Sequence, residues 1–117
     1  MASASLKCRV ALLQLLSGAD KVANVSAACA AIADAASHKA DIVALPECFN
    51  SPYATSSFPV YAEYIPAARA LIDPTAHPTT SALSEAARKH GIYLVGGASM
   101  HAFHLKCILV SPNLVLT

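Results

Sequence analysis

Three short apolar runs, each closed by strand-breaking residues, constrain this chain more than any other feature. The first, residues 8–16, reads Cys-Arg-Val-Ala-Leu-Leu-Gln-Leu-Leu and ends at Ser17-Gly18. The second, Asp41-Ile42-Val43-Ala44-Leu45, stops at Pro46, and the third, Ile92–Val95, runs into Gly96-Gly97. Continuous apolar runs of this length suit buried strands. Val22, Val25, Cys29, Ile32 and Ala36 recur at spacings of three and four, which predicts a helix over about 20–39 with those residues on its buried face. Asp20 is placed to cap its free N–H groups, and His38 and Lys39 suit its negative end. Residues 46–78 hold six of the seven prolines and so predict mostly loop, with a short helix near 60–65. A loop this long in a compact domain is usually functional or disordered. A second helix is predicted over 79–90, with Thr79, Thr80 or Ser81 as its cap, Leu83 and Ala87 on one face, and Gly91 just past its end. Residues 107–110 read as a fourth strand, Ser111-Pro112-Asn113 as a turn, and 114–117 as the start of a fifth strand. Strand and helix alternate, so the fold class is α/β, with right-handed crossovers placing the helices on one sheet.

The chain has the size of one domain, 117 residues, with residues 1–7 as an N-terminal tail. It is 56% hydrophobic and 13% charged, too apolar for a disordered chain. Eight Lys and Arg against seven Asp and Glu leave no basic footprint for nucleic acid, so no nucleic-acid partner is expected. Charges interrupt every long apolar stretch, so no membrane-spanning helix is expected. The apolar run behind Lys7 and Arg9 is short and contains Gln14, and reads as a buried strand rather than a secretory leader. Four scattered cysteines (Cys8, Cys29, Cys48 and Cys107) read as reduced and mostly buried, which favours an intracellular chain. The expected compartment is the cytoplasm, with the mitochondrion as the alternative. Asn24-Val25-Ser26 matches the glycosylation triplet but falls within the predicted first helix.

Leu45-Pro46-Glu47-Cys48-Phe49 is the strongest local candidate for chemistry. In open α/β sheets, ligands bind beyond the carboxyl ends of strands, and Glu47 lies just past such an end. A carboxylate there, close to apolar Phe49, could act as a general base; the competing reading is a loop-entrance Glu making surface or capping bonds. His101, His104 and Cys107, three apart, could ligate a metal on a helical turn, but no fourth ligand is near in sequence and Cys107 reads as strand. No metal site is therefore expected. Gly96-Gly97 matches no phosphate-loop pattern and reads as a tight strand exit, so no cofactor is expected. A Cys–His hydrolase built on Cys48 has nothing to fix its geometry.

Several stretches carry a family resemblance. Residues 8–14, Ala44-Leu-Pro-Glu-Cys-Phe-Asn-Ser-Pro-Tyr53 and Gly91-Ile-Tyr-Leu-Val-Gly-Gly97 resemble the nitrilase superfamily of carbon–nitrogen hydrolases. The continuation Phe58-Pro-Val-Tyr-Ala-Glu-Tyr-Ile-Pro66 is similar to its omega-amidase branch, also called nitrilase-like protein 2. The resemblance covers residues 8–66 and 79–100 and extends more weakly over 107–117. It implies the N-terminal part of a layered α-β-β-α sandwich, with residues 8–117 as a truncated carbon–nitrogen hydrolase domain. It also implies a Glu–Lys–Cys mechanism that hydrolyses the terminal amide of short dicarboxylate monoamides, such as 2-oxoglutaramate, to acid and ammonia. Glu47 matches the general base, and Phe49 and Tyr53 lie in the loop that would line the substrate pocket. The implied partner is a small amide substrate, once the missing half is supplied, and the family is homo-oligomeric.

The departures are equally specific. The family's Lys and nucleophilic Cys belong to segments beyond Thr117. Lys106, Cys48 and Cys107 match neither position. The family's second Glu, expected after Gly96-Gly97, is absent from Ala98–Leu105, and residues 67–78 look inserted. Loss of the nucleophile in a comparable triad costs about a millionfold in turnover. The chain alone is therefore expected to be inactive. The opposing reading of its function is a truncated remnant or partial gene product that serves only as an interaction module.

Overall fold

The computed structural model describes the backbone of residues 5–101 and 104–116, and the side chains of that set apart from 98–107 and 114–116. Five strands form one sheet in the order β1 (Val10–Leu12), β2 (Ile42–Ala44), β3 (Tyr93–His101), β4 (His104–Ser111) and β5 (Leu114–Leu116). The first three are mutually parallel, with Val10 opposite Ile42 and Ile42 opposite Tyr93. β3, β4 and β5 follow as an antiparallel meander, and Pro112-Asn113 form the turn between the last two. Helix α1 (Lys21–Ser37) bridges β1 to β2; the short α2 (Phe58–Tyr61) and α3 (Pro78–His90) bridge β2 to β3. Crossovers of one hand advancing in one direction carry their helices to one face of a sheet. Accordingly α1 packs on α3, and α3 on β3 and β4.

Strand alternation divides the sheet into a covered and a bare face. Val43, Leu94, Ile108 and Val110 point to the helices and pack with Ile32 and Leu83 in the core. On the other side Val10, Leu12, Tyr93 and Leu109 are exposed. No helix among the described residues is long and apolar enough to cross a membrane.

Several boundaries and faces differ from the sequence expectation. The strand expected over 8–16 is a strand only at Val10–Leu12, flanked by bonds from the Asp41 and Ile42 amides to the Arg9 carbonyl at 2.8 and 3.2 Å and from the Leu13 amide to the Ala44 carbonyl at 2.9 Å. Past that point the chain leaves the ladder for the turn at Ser17-Gly18, and Leu16 is exposed. The buried face of α1 is Asn24, Ala28, Ile32 and Ala35; Val22 is exposed, and Val25, Cys29 and Ala36 are half-buried. The physical reason is alanine: eight of the 17 helix residues are Ala. Hydrophobicity is then nearly uniform around the helix, and close approach to a neighbour decides the face. Asn24 joins the buried face because its side-chain amide pairs with both the N–H and the C=O of Gly18, each at 2.8 Å. The Asp20 cap stands as expected, accepting from the Ala23 amide at 3.1 Å.

The short helix expected near 60–65 lies at 58–61 instead, with Pro59 in its first turn. α3 begins at Pro78 after an N-cap position occupied by His77, which makes no side-chain cap bond. Thr79, Thr80 and Ser81 lie inside the helix, so none of them is the cap. Leu83 and Ala87 are fully buried, and Gly91 closes the helix in the left-handed conformation at φ 64. β3 does not end at Gly96-Gly97. It continues to His101 through a register shift between Val95 and Ala98, where Gly97 at φ 70 absorbs the irregularity of a bulge. Of the cysteines, Cys48 is buried, Cys29 half-buried and Cys8 exposed, so the expectation of burial fails at Cys8.

Candidate active site

Glu47 stands at the carboxyl end of the parallel strands, the end at which open α/β sheets bind ligands. The path to it is fixed stepwise. The Leu45 amide donates to the Val95 carbonyl at 2.8 Å, which prolongs the β2–β3 pairing by one residue. Pro46 ends the strand. Its carbonyl group lies against Gly97, where a Cβ would collide with the carbonyl oxygen and come within 2.9 Å of the carbonyl carbon. Cys48 then adopts a left-handed conformation at φ 51, and the Ser51 amide donates to the Cys48 carbonyl at 3.2 Å. The chain turns sharply just after Glu47, leaving its side chain exposed while Cys48 and Phe49 go inward.

The sequence-predicted residues fare differently. Tyr53 is 72% exposed and donates its hydroxyl to Glu47 Oε2 at 2.8 Å. This bond occupies one carboxylate oxygen; Oε1 has no protein partner among the described residues. The Tyr53 ring also meets Phe58 edge-on at 5.7 Å between centroids. Phe49 borders the cavity but is only 3% exposed and belongs to the core cluster, and its carbonyl accepts from the Ser17 hydroxyl. An open cavity of about 460 Å³ lies between Leu15-Leu16-Ser17 and the 46–53 segment, with Glu47 and Tyr53 in its wall. A larger opening of about 680 Å³ sits at the opposite ends of the strands, among Lys7, Arg9, Lys39 and Asp41.

The Glu47 carboxylate acts on two neighbouring groups. The hydrogen bond to Glu47, and then its charge, push the Tyr53 phenol above its ordinary range. Burial, seconded by the Glu47 charge, pushes the Cys48 thiol up as well. A thiol must ionise to attack, so Cys48 is built to stay inert. The Cys–His alternative on Cys48 therefore has no support. The His101–His104–Cys107 spacing does not fall on a helical turn: His101 and His104 face each other across the β3–β4 hairpin, and Cys107 pairs with Ala98. Their side chains lie outside the described residues. Among the described residues no group of three or more His, Cys, Asp or Glu could hold a metal ion.

Residues 9–113 match the sequence profile of the carbon-nitrogen hydrolase family. The chain belongs to the carbon–nitrogen hydrolase family. Its curated relatives include Omega-amidase NIT2-B of Xenopus laevis, 41% identical over 111 residues, covering 92% of this chain and 37% of the relative. Omega-amidase NIT2 of Homo sapiens is 47% identical over 90 residues, covering 77% of this chain and 29% of the relative. The chain thus spans about a third of the length of the curated relatives it matches. Among solved structures, Nit3 of Saccharomyces cerevisiae, a member of branch 10 of the nitrilase superfamily, superposes with a TM-score of 0.75 at 33% identity, over 91% of this chain and 40% of that one. The α/β sheet with its one-sided helices is therefore that of the nitrilase superfamily. The segment from Pro46 to Tyr53 lies within the matched residues and contributes to the cavity wall.

Sequence reasoning missed Gly97 and Ser17 as supports of the Glu47 turn. The Gly-Gly pair was the available signal for the first. Ser17 carries none, since its partner Phe49 is 32 residues away.

Proposed function

We propose that this chain forms the general-base side of an amide-hydrolysing centre of omega-amidase type, with Glu47 as the base. The supporting observation is the placement of Glu47: at the carboxyl end of β2, in a cavity wall, with one oxygen held by Tyr53 and the other without a partner among the described residues. In the mechanism that the family resemblance implies, the base takes the proton of a cysteine thiol. The sulfur attacks the carbonyl carbon of a terminal amide, and the resulting oxyanion is stabilised by a lysine. The protonated base returns its proton to the amide nitrogen, collapse breaks the C–N bond to expel ammonia and leaves a thioester, and water hydrolyses it to the acid with release of the thiol. The substrates this reading favours are short dicarboxylate monoamides, with Tyr53 and the border at Phe49 on the substrate side. The Lys and Cys have no match among residues 1–117, and the reading assigns them to polypeptide outside that span.

A chimera tests this directly. Residues 9–113 replace the corresponding segment of human omega-amidase, and ammonia release from succinamate or 2-oxoglutaramate is measured. The expected result is turnover in the chimera that falls by about 10²–10⁴-fold on Glu47→Gln, the range for a general base. A folded chimera without turnover would sink the reading. The inactive-remnant reading is favoured for the 117-residue polypeptide by itself, because Cys48, the one described thiol bordering the cavity, is buried with its thiol pushed up. That polypeptide is expected to release no ammonia.

A further inference from the structure

A second carboxylate, unlike Glu47, is withdrawn from solvent and surrounded by donors. Glu63 follows α2, and its side chain is 8% exposed. Its partners come from three other segments. Lys21 Nζ, at the start of α1, lies 3.1 Å from Oε2. The Thr79 amide, in the first turn of α3, donates to Oε1 at 2.9 Å, and the Thr79 hydroxyl donates to Oε2 at 2.5 Å. Asn50 Nδ2 donates to Oε2 at 3.3 Å. A buried charge is tolerated only when paired and hydrogen-bonded, and this one is. It also satisfies an N–H of α3 that its own N-cap residue leaves open.

The link to the site is Asn50. Its side chain is buried and shares Nδ2 between Glu63 and Thr79 Oγ1, the latter at 3.1 Å. Asn50 sits midway along the 47–53 loop, and the Tyr53–Glu47 hydrogen bond closes the two ends of that loop at 2.8 Å. The middle is thus anchored to the core while the ends meet at the cavity. Among the described side chains, the hydrogen bond between this loop and α3 comes from Asn50, while Phe49 shares the core cluster with Leu83 of α3.

We propose that Glu63 is a positioning residue for the hydrolytic centre, holding the middle of the 47–53 loop through Asn50 and so setting the Tyr53–Glu47 pair. The significance of that pair rests on Glu47 being the base, but the geometry can be read without any turnover. Ring-labelled tyrosine in the 117-residue chain is titrated by NMR, with Tyr53 assigned by substitution. Tyr53 should titrate above an ordinary tyrosine, and Glu47→Gln should abolish that shift. Glu63→Gln should lose most of it while retaining the wild-type helical circular dichroism. A folded E63Q chain whose Tyr53 titrates as in the wild type would show that Glu63 only supports the fold, and would overturn the proposal. An unchanged Tyr53 in E47Q would overturn it too. If E63Q does not fold, Asn50→Ala removes only the link, leaves the Lys21 and Thr79 bonds to Glu63, and is read by the same criterion. The titration reports the loop and the chimera's turnover reports the chemistry, so the two proposals fail separately.

Discussion

Left-handed backbone at Cys48, at φ 51, turns the chain immediately after Glu47, and Gly97 lets the Pro46 carbonyl approach from the other side. Neither is a comfortable position for an ordinary residue. Gly97→Ala should cost about 1–2 kcal/mol for the left-handed conformation alone, and more for the collision with Pro46. A urea melt of the variant, compared with the wild type, measures this; an unchanged midpoint would mean the turn relaxes freely. The thiols give a second residue-scale prediction. Cys48 has its pKa raised by burial and by Glu47, so the fold favours its neutral form. That contribution to stability is present below the unfolded thiol's pKa and is lost as pH rises through the higher folded value. Alkylation with iodoacetamide near neutral pH should therefore label exposed Cys8 well before Cys48, as followed by peptide mass spectrometry. Equal rates would contradict the inert reading of Cys48. At this scale the sequence exposed Glu47 clearly, because a strand end followed by Pro-Glu is a local pattern. Of its supports, Tyr53 was legible only as a pocket residue and Gly97 only as part of a Gly-Gly pair, while Ser17 carried no signal, because all three act on the turn through space.

At the scale of elements, helix α1 shows what patterning can and cannot settle. Its start is local chemistry: Asp20 caps the Ala23 amide, and Asp20→Ala should destabilise by about 1 kcal/mol in chemical denaturation. Its orientation is not local. With so many alanines, the face through Val22 and Cys29 and the face through Ala28 and Ala35 are almost equally apolar. Packing into the core cluster buries the smaller residues Ala28 and Ala35 beside Ile32. Val22→Ala should accordingly change stability by less than about 0.5 kcal/mol, as an exposed substitution. Ala28→Leu should cost about 1–3 kcal/mol by overpacking. The same melts decide it, and the reverse ranking would restore the first face. α3 gives the opposite lesson at its start. Three hydroxyl residues advertised a local cap, yet the terminus is served by Glu63, 16 residues earlier in the chain.

For the whole molecule, the dominant fact is a sheet that, among the described residues, is covered by helices on one face only. Leu12, 80% exposed, and Tyr93 lie on the open side with Val10 and Leu109. A contiguous apolar sheet face of this kind promotes association. The polypeptide should show concentration-dependent light scattering, reduced in the double variant Leu12→Lys/Tyr93→Lys with helical circular dichroism retained. Scattering that persists unchanged would place the cause elsewhere, for instance at the β5 edge. The exposed apolar residues of this face contribute to the low charge of 13%, as positions ordinarily polar on a solvent face are apolar here.

The amino-acid sequence by itself determined the element order, the caps at Asp20 and Gly91, the α/β class and the position of Glu47 at a strand end. All of these follow from interactions within a few residues, where periodicity and breakers carry the information. The tertiary structure alone decided which face of α1 is buried, that β3 runs on through Gly97, that α3 is capped from outside, and that Tyr53 holds Glu47. Each depends on groups at least six residues apart and brought together by the sheet, and no local pattern encodes such a meeting.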